Sequence, residues 1–111
     1  MESTRQKKVA RLLQKEIGQI LQQKSHELGG KLITVTIVRM SPDLSLARIY
    51  LSFFPPGKNE DPLIPLKDHT SQIRHELGNK VRNQLRIVPE LAFFVDDSLD
   101  YIEKIEKLLK D

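Results

Sequence analysis

From about Thr4 to Lys24, apolar residues recur at Val9, Leu12, Leu13, Ile17, Ile20 and Leu21. Steps of three and four keep them on one side of an α-helix, so the segment predicts an amphipathic helix with one buried stripe. Ser3 or Thr4 suits its N-cap, and Gly29-Gly30 lies just beyond its end. The period then drops to two. Ile33, Val35 and Ile37 alternate with Thr34 and Thr36, and Val38 and Met40 extend the run. After Ser41-Pro42-Asp43, Ala47, Ile49, Leu51 and Phe53 alternate with Arg48, Tyr50 and Ser52. Two strands joined by so short a turn predict an antiparallel pair with one apolar face, which the first helix can cover.

Residues Pro55 to Pro65 contain four prolines, Gly57 and Asn59, and predict an exposed loop. Beyond it, Leu66, Ile73, Leu77, Val81 and Leu85 share a helical stripe that weakens at His69-Thr70-Ser71. That polar gap permits one continuous helix or two joined by a kink. Leu91, Phe93 and Val95 read as a third strand introduced by Pro89. A helical crossover of this length predicts a parallel partner for it. Alternation can bury only one of Phe93 and Phe94, and Phe93 is assigned to the core. Ser98 then caps a short helix with Leu99, Ile102, Ile105 and Leu109 inward. The expected fold class is α+β: one domain over residues 1–111, a three-stranded sheet with helices on one face, in the order α-β-β-α(-α)-β-α.

Composition narrows the function. The sequence has no Cys, so disulfides and thiolate chemistry are excluded. No apolar run approaches the ~20 residues of a membrane span, and the N-terminus lacks the apolar segment of a signal peptide. The cytoplasm is the expected location, with no membrane partner. Net charge is only +3, but residues 1–89 hold fifteen Lys/Arg against eight Asp/Glu, while residues 90–111 hold three against seven. A basic body points to a polyanion. The densest patch is Arg5, Lys7, Lys8, Arg11 and Lys15 on the first helix; Arg74, Lys80, Arg82 and Arg86 form a second set. These nine are the candidate polyanion-contact residues, with Arg48 on a strand a weaker one; the resemblance described below makes that polyanion RNA. Their bland reading is a solvated face, and for the second set also complementing a helix C-terminus.

Catalysis finds little support. Asp96-Asp97 before Ser98 suit a strand end and a helix cap, and His26, His69 and His75 lack metal-ligand spacing. No phosphate loop or nucleophile–base pair can be read. No cofactor and no metal are expected, and the chain is read as a non-enzyme.

Several blocks resemble one family in order along nearly the whole chain. Arg5, Val9-Ala10, Lys15-Glu16-Ile17 and Ile20-Leu21 look like its opening helix. VRMSPDLSLARIYLSF, Val38 to Phe53, looks like its hairpin, with a Met-Ser-x-Asp-Leu turn. Ile73-Arg74 and Leu77-Gly78 resemble its long helix, and LRIVPELAFFVDDS, Leu85 to Ser98, is the most specific block. The chain is thereby identified as similar to the ribosome-binding factor A family of bacterial small-subunit assembly factors. Its element order matches a type II KH domain, a module that holds single-stranded nucleic acid. A usual KH domain carries a Gly-x-x-Gly loop, which is absent here; the family is similar but has a kink, often Ala-x-Gly, and the aligned residues are His69, Thr70 and Ser71.

The resemblance implies a monomer that binds free or immature small (30S) subunits, contacting 16S rRNA and neighbouring ribosomal proteins. It implies help in late maturation including 5′-end processing, greater need in the cold, and release assisted in some bacteria by an assembly GTPase. A resident ribosomal protein or a hibernation-type ribosome binder is the alternative with the same charge pattern.

Overall fold

The computed structural model describes residues 2–54 and 61–96. Within them the chain forms α1 (Thr4–Gln23), β1 (Leu32–Met40), β2 (Leu46–Phe54), α2 (Leu63–Val81) and β3 (Glu90–Val95). The strands make one sheet in the order β1-β2-β3, antiparallel between β1 and β2 and parallel between β2 and β3. The α+β class, the hairpin and the parallel third strand are as expected. The helix foreseen after Ser98 falls outside the described residues.

Ser3 is the N-cap of α1 and closes a capping box: its hydroxyl accepts from Gln6 N, and Gln6 Oε1 accepts from Ser3 N at 2.7 Å. Gln6 is buried, yet its amide is not wasted on solvent, because Nε2 donates to the Met40 carbonyl at 3.0 Å. One side chain thus caps a helix and ties it to the end of β1. Below it Val9, Leu13, Ile17, Ile20 and Leu21 of the predicted stripe are buried, Ala10 joins them, and Leu12 is only partly covered. The helix stops at Lys24, and the turn that follows needs Gly29 and Gly30 at φ 100° and 74°, a region side chains avoid.

On β1 the strict alternation of Ile33, Val35 and Ile37 does not survive. The register shifts between Val35 and Ile37, so Ile33, Val35, Val38 and Met40 are buried while Ile37 turns to the open face, 41% exposed. A bulge at Thr36 re-phases the strand, inserting one residue so that both halves keep apolar side chains under α1. Gln14 of α1 meets the irregular backbone there, donating to the Val35 carbonyl at 3.2 Å. Thr36 Oγ1 donates to Asp96 Oδ2 at 2.5 Å, binding β1 to the end of β3.

Residues 55–60 of the expected Pro55–Pro65 loop lie outside the described residues, and at its other end the expectation is corrected. Leu63 to Pro65 already belong to α2, where Pro65 occupies the first turn and its missing N–H has no helical partner to lose. Asp61 Oδ1 accepts from Leu63 N at 2.9 Å and anchors that start. Residues 69–71 lie inside a single helix, not between two. Thr70 Oγ1 donates to the Leu66 carbonyl and His69 Nδ1 sits 2.8 Å from that of Pro65, so the polar gap is satisfied along its own helix. Leu66, Ile73, Leu77 and Val81 complete the core from this side.

Phe93 packs against the core but is only partly buried, because β3 is an edge strand. Phe94 is the ring on the open face, stacked on Tyr50 with centroids 5.3 Å apart. The burial pattern predicts unequal costs across the sheet. Ile49→Ala, at a fully buried site of the central strand, should lose about 2–5 kcal/mol in urea denaturation. Val95→Ala, at a 43% exposed site on the edge, should lose under about 1 kcal/mol. Equal losses would contradict this arrangement of the layers.

Candidate nucleic-acid interface

The basic residues of α1 divide into two groups. Lys8, Arg11 and Lys15 follow steps of three and four, with Lys7 beside them, and all four are exposed on the side away from the buried stripe. Arg5, three residues before Lys8, is exposed at the start of the helix. It lines a groove together with Arg86, Leu44, Leu85, Ile87 and Pro89, where the start of α1 meets the β1–β2 turn and the α2–β3 connection. None of these basic side chains, nor exposed Arg82, forms an ion pair with a carboxylate among the described residues. Unneutralised charge at this density attracts counterions that a phosphate backbone can displace.

The remaining two candidates are held. Lys80 Nζ lies 3.9 Å from Glu16 of α1, so it bridges the two helices as well as extending the basic surface. Arg74 donates from Nε to the Pro89 carbonyl at 3.1 Å and from Nη2 to that of Val88 at 2.8 Å. Its guanidinium grips the backbone entering β3, a task that needs the rigid fork of Arg. Gly78, one turn on, lets the same segment approach, since a Cβ there would meet Val88 Cγ2 at 3.3 Å. Arg74 therefore positions the connection that carries Arg86. A second interhelical pair, Lys24 with Glu76 at 2.8 Å, raises the lysine above its ordinary pKa by that hydrogen bond.

Sequence reasoning missed the apolar part of this surface. Ile87 is 73% exposed, and Leu44 sits at φ 62°, a left-handed conformation unusual for leucine. Neither follows a period, and an isolated apolar residue in a connection carries no signal of exposure. Arg48 faces Arg39 across the β1–β2 ladder on the open side of the sheet, and Arg39 lies 3.9 Å from Glu2. These two stand apart from the α1 face.

The β1–β2 turn is fixed by Asp43. Its Oδ1 accepts from Ser41 Oγ at 2.7 Å, Ser45 Oγ at 2.7 Å and Ser45 N at 3.1 Å. These donors, the two hydroxyls first, hold its carboxyl down at about 2.

Three comparisons with known proteins show what the chain is similar to. The family described as ribosome-binding factor A matches residues 5–109. The ribosome-binding factor A of Christiangramia forsetii is 47% identical over 111 residues, covering 98% of this chain and 85% of that protein. Among solved structures, the crystal structure of ribosome-binding factor A from Thermus thermophilus superposes with a TM-score of 0.67 at 24% identity, covering 81% of this chain and 94% of that one. A homology model of the Thermus thermophilus factor, fitted into a cryo-EM map of a complex with the 30S subunit, gives a TM-score of 0.64 at 26% identity and covers 79% and 91%.

Acid should loosen the turn. A carboxyl depressed by folding contributes fully above its unfolded value near 3.8 and ceases to contribute as pH falls through about 2. Asp43→Asn should therefore melt below the native chain at neutral pH, and the gap should narrow from pH 3.8 down to about 2 in thermal melts followed by circular dichroism. A gap independent of pH would remove the carboxylate from this role.

Proposed function

The chain belongs to the ribosome-binding factor A family, and on that footing we propose that it binds the small ribosomal subunit as an assembly factor. The observation that carries this reading to particular residues is the α1 face, four exposed cations with no intramolecular carboxylate partner among the described residues. Lys7, Lys8, Arg11 and Lys15 contact rRNA phosphates, and Arg5, Arg82 and Arg86 extend the contact past the end of α2. Arg74 and Lys80 serve the same surface from fixed positions, the first by shaping the α2–β3 connection and the second beside Glu16.

No bond need be made or broken. A factor that binds one RNA arrangement more tightly than its competitors shifts the population towards it by the difference in binding free energy. We assign the preferred arrangement to immature 30S subunits late in maturation, with 5′-end processing of 16S rRNA downstream. The chain acts in the cytoplasm as a monomeric single domain, and an assembly GTPase is a fitting agent of its release. Incorrect RNA pairings dissociate more slowly in the cold, which makes such a bias more valuable there.

Two measurements test the reading. The chain should pellet with precursor small subunits in preference to mature ones, with an affinity that falls steeply as salt rises. Changing Lys8, Arg11 and Lys15 together to Gln should flatten the log–log salt slope by roughly 2 if each meets one phosphate of single-stranded RNA. A folded triple variant with the native slope would remove α1 from the interface, and equal pelleting with every small subunit would favour a resident ribosomal protein. In a strain lacking the gene, a shift to low temperature should accumulate 16S rRNA with unprocessed 5′ ends. Normal ends and normal subunit ratios would eliminate the assembly role.

A further inference from the structure

The groove between Arg5 and Arg86 has a volume of about 230 Å³ and walls that are mainly apolar, from Val9, Leu44, Leu85, Ile87 and Pro89. Building on the RNA-binding reading above, we propose that it receives one unpaired RNA nucleotide, the base lying in the apolar channel and the flanking phosphates on Arg5 and Arg86. Its volume is below the ~300–1,000 Å³ of ordinary small-molecule pockets, which suits one flat base and excludes a stacked pair. A duplex offers no free base face, since A-form helices expose only edges and backbone. An unstacked base, by contrast, is held well between apolar side chains.

The charges select the same occupant. Two guanidiniums reach one groove, and neither has a carboxylate partner among the described residues. The carboxylate of Asp43 also lines it, but its Oδ1 already accepts three hydrogen bonds from Ser41 and Ser45. A net positive groove in which those three bonds leave Asp43 Oδ2 as an acceptor fits an anion that also carries donors, as an amino-bearing base between phosphates does. A purely anionic ligand would leave the apolar walls unused.

Each wall is pinned before any ligand arrives. The capping box and the Gln6 bond to the Met40 carbonyl fix the first turn of α1. Ser45 O accepts from Glu90 N at 2.9 Å, joining the β1–β2 turn to β3. Arg74 holds the carbonyls of Val88 and Pro89, immediately after Ile87. Leu44 keeps its left-handed backbone with its N–H on the Ser41 carbonyl at 3.0 Å. The backbone segments that form the groove are thus placed before binding and lose little freedom on it, which favours a shaped subsite over a diffuse charge patch.

The test is methyl NMR of the full chain titrated with an unpaired eight-nucleotide RNA, a paired hairpin of the same composition, and a polyglutamate peptide. The methyls of Leu44, Leu85 and Ile87 should shift with the unpaired RNA and stay in place with the other two. Ile87→Ser alters an exposed side chain, so the fold should persist while affinity for the unpaired RNA drops about tenfold with an unchanged salt slope. Arg5→Gln with Arg86→Gln should instead flatten that slope by about 1.4, at ~0.7 per phosphate of single-stranded RNA. The proposal is overturned by native affinity in Ile87→Ser, by equal methyl shifts with the hairpin, or by a stronger response to polyglutamate, which would make the groove a protein site. Pelleting with small subunits is scored on the same proteins. A native chain that pellets while Ile87→Ser keeps its affinity for unpaired RNA loses only the groove assignment; a native chain that fails to pellet loses the assembly reading.

Discussion

Strand β2 must pair with neighbours running in opposite senses, antiparallel β1 on one side and parallel β3 on the other. A parallel neighbour cannot be reached by a tight turn, so the chain has to cross over one face of the sheet as α2 before returning. That crossover and α1 cover the same face, and every apolar side chain of the sheet is sorted by this one-sided cover. Ala47, Ile49 and Leu51 are fully buried beneath the helices, while Tyr50 and Phe94 stack on the side left open. The bulge at Thr36 follows from the same demand, because without it Val38 and Met40 would share the open face.

The return of the chain into β3 is where several such constraints converge. Arg74 and Gly78 lie on one side of α2, and each acts on the segment at Val88 and Pro89, the first by hydrogen bonds and the second by absence of a side chain. The β1–β2 turn, locked by Asp43, reaches the same segment through Ser45 and Glu90. Blocks of sequence that look independent along the chain thus support one end of the sheet. Arg5 and Arg86, eighty-one residues apart in numbering, come to line one groove because these clamps leave their backbones little choice.

Charge is distributed with comparable economy. The pairs Lys24–Glu76 and Lys80–Glu16 join α1 to α2 at partly exposed positions, where ion pairs contribute modestly to stability. The cations on the outer side of α1 have no such partner among the described residues, and their repulsion is tolerated because water screens it.

The sequence by itself determined the elements that rest on period and on local chemistry. The α1 stripe, a cap at Ser3 or Thr4, the hairpin and the parallel return of β3 were all legible, because 3.6-residue and two-residue repeats report directly on which face is covered. The basic face of α1 was legible for the same reason. The family, too, could be read from ordered local blocks. What only the tertiary structure decided are matters of contact between distant segments. Local alternation placed Ile37 inside, but a whole-strand fit to α1 moved it out. Pro-rich composition suggested a loop through Pro65, but a first helical turn accepts proline where no N–H is needed. Arg74 looked like its basic neighbours until carbonyls fifteen and fourteen residues away claimed its guanidinium. Charge is written in one residue, whereas the partner that consumes or spares it is chosen by the fold.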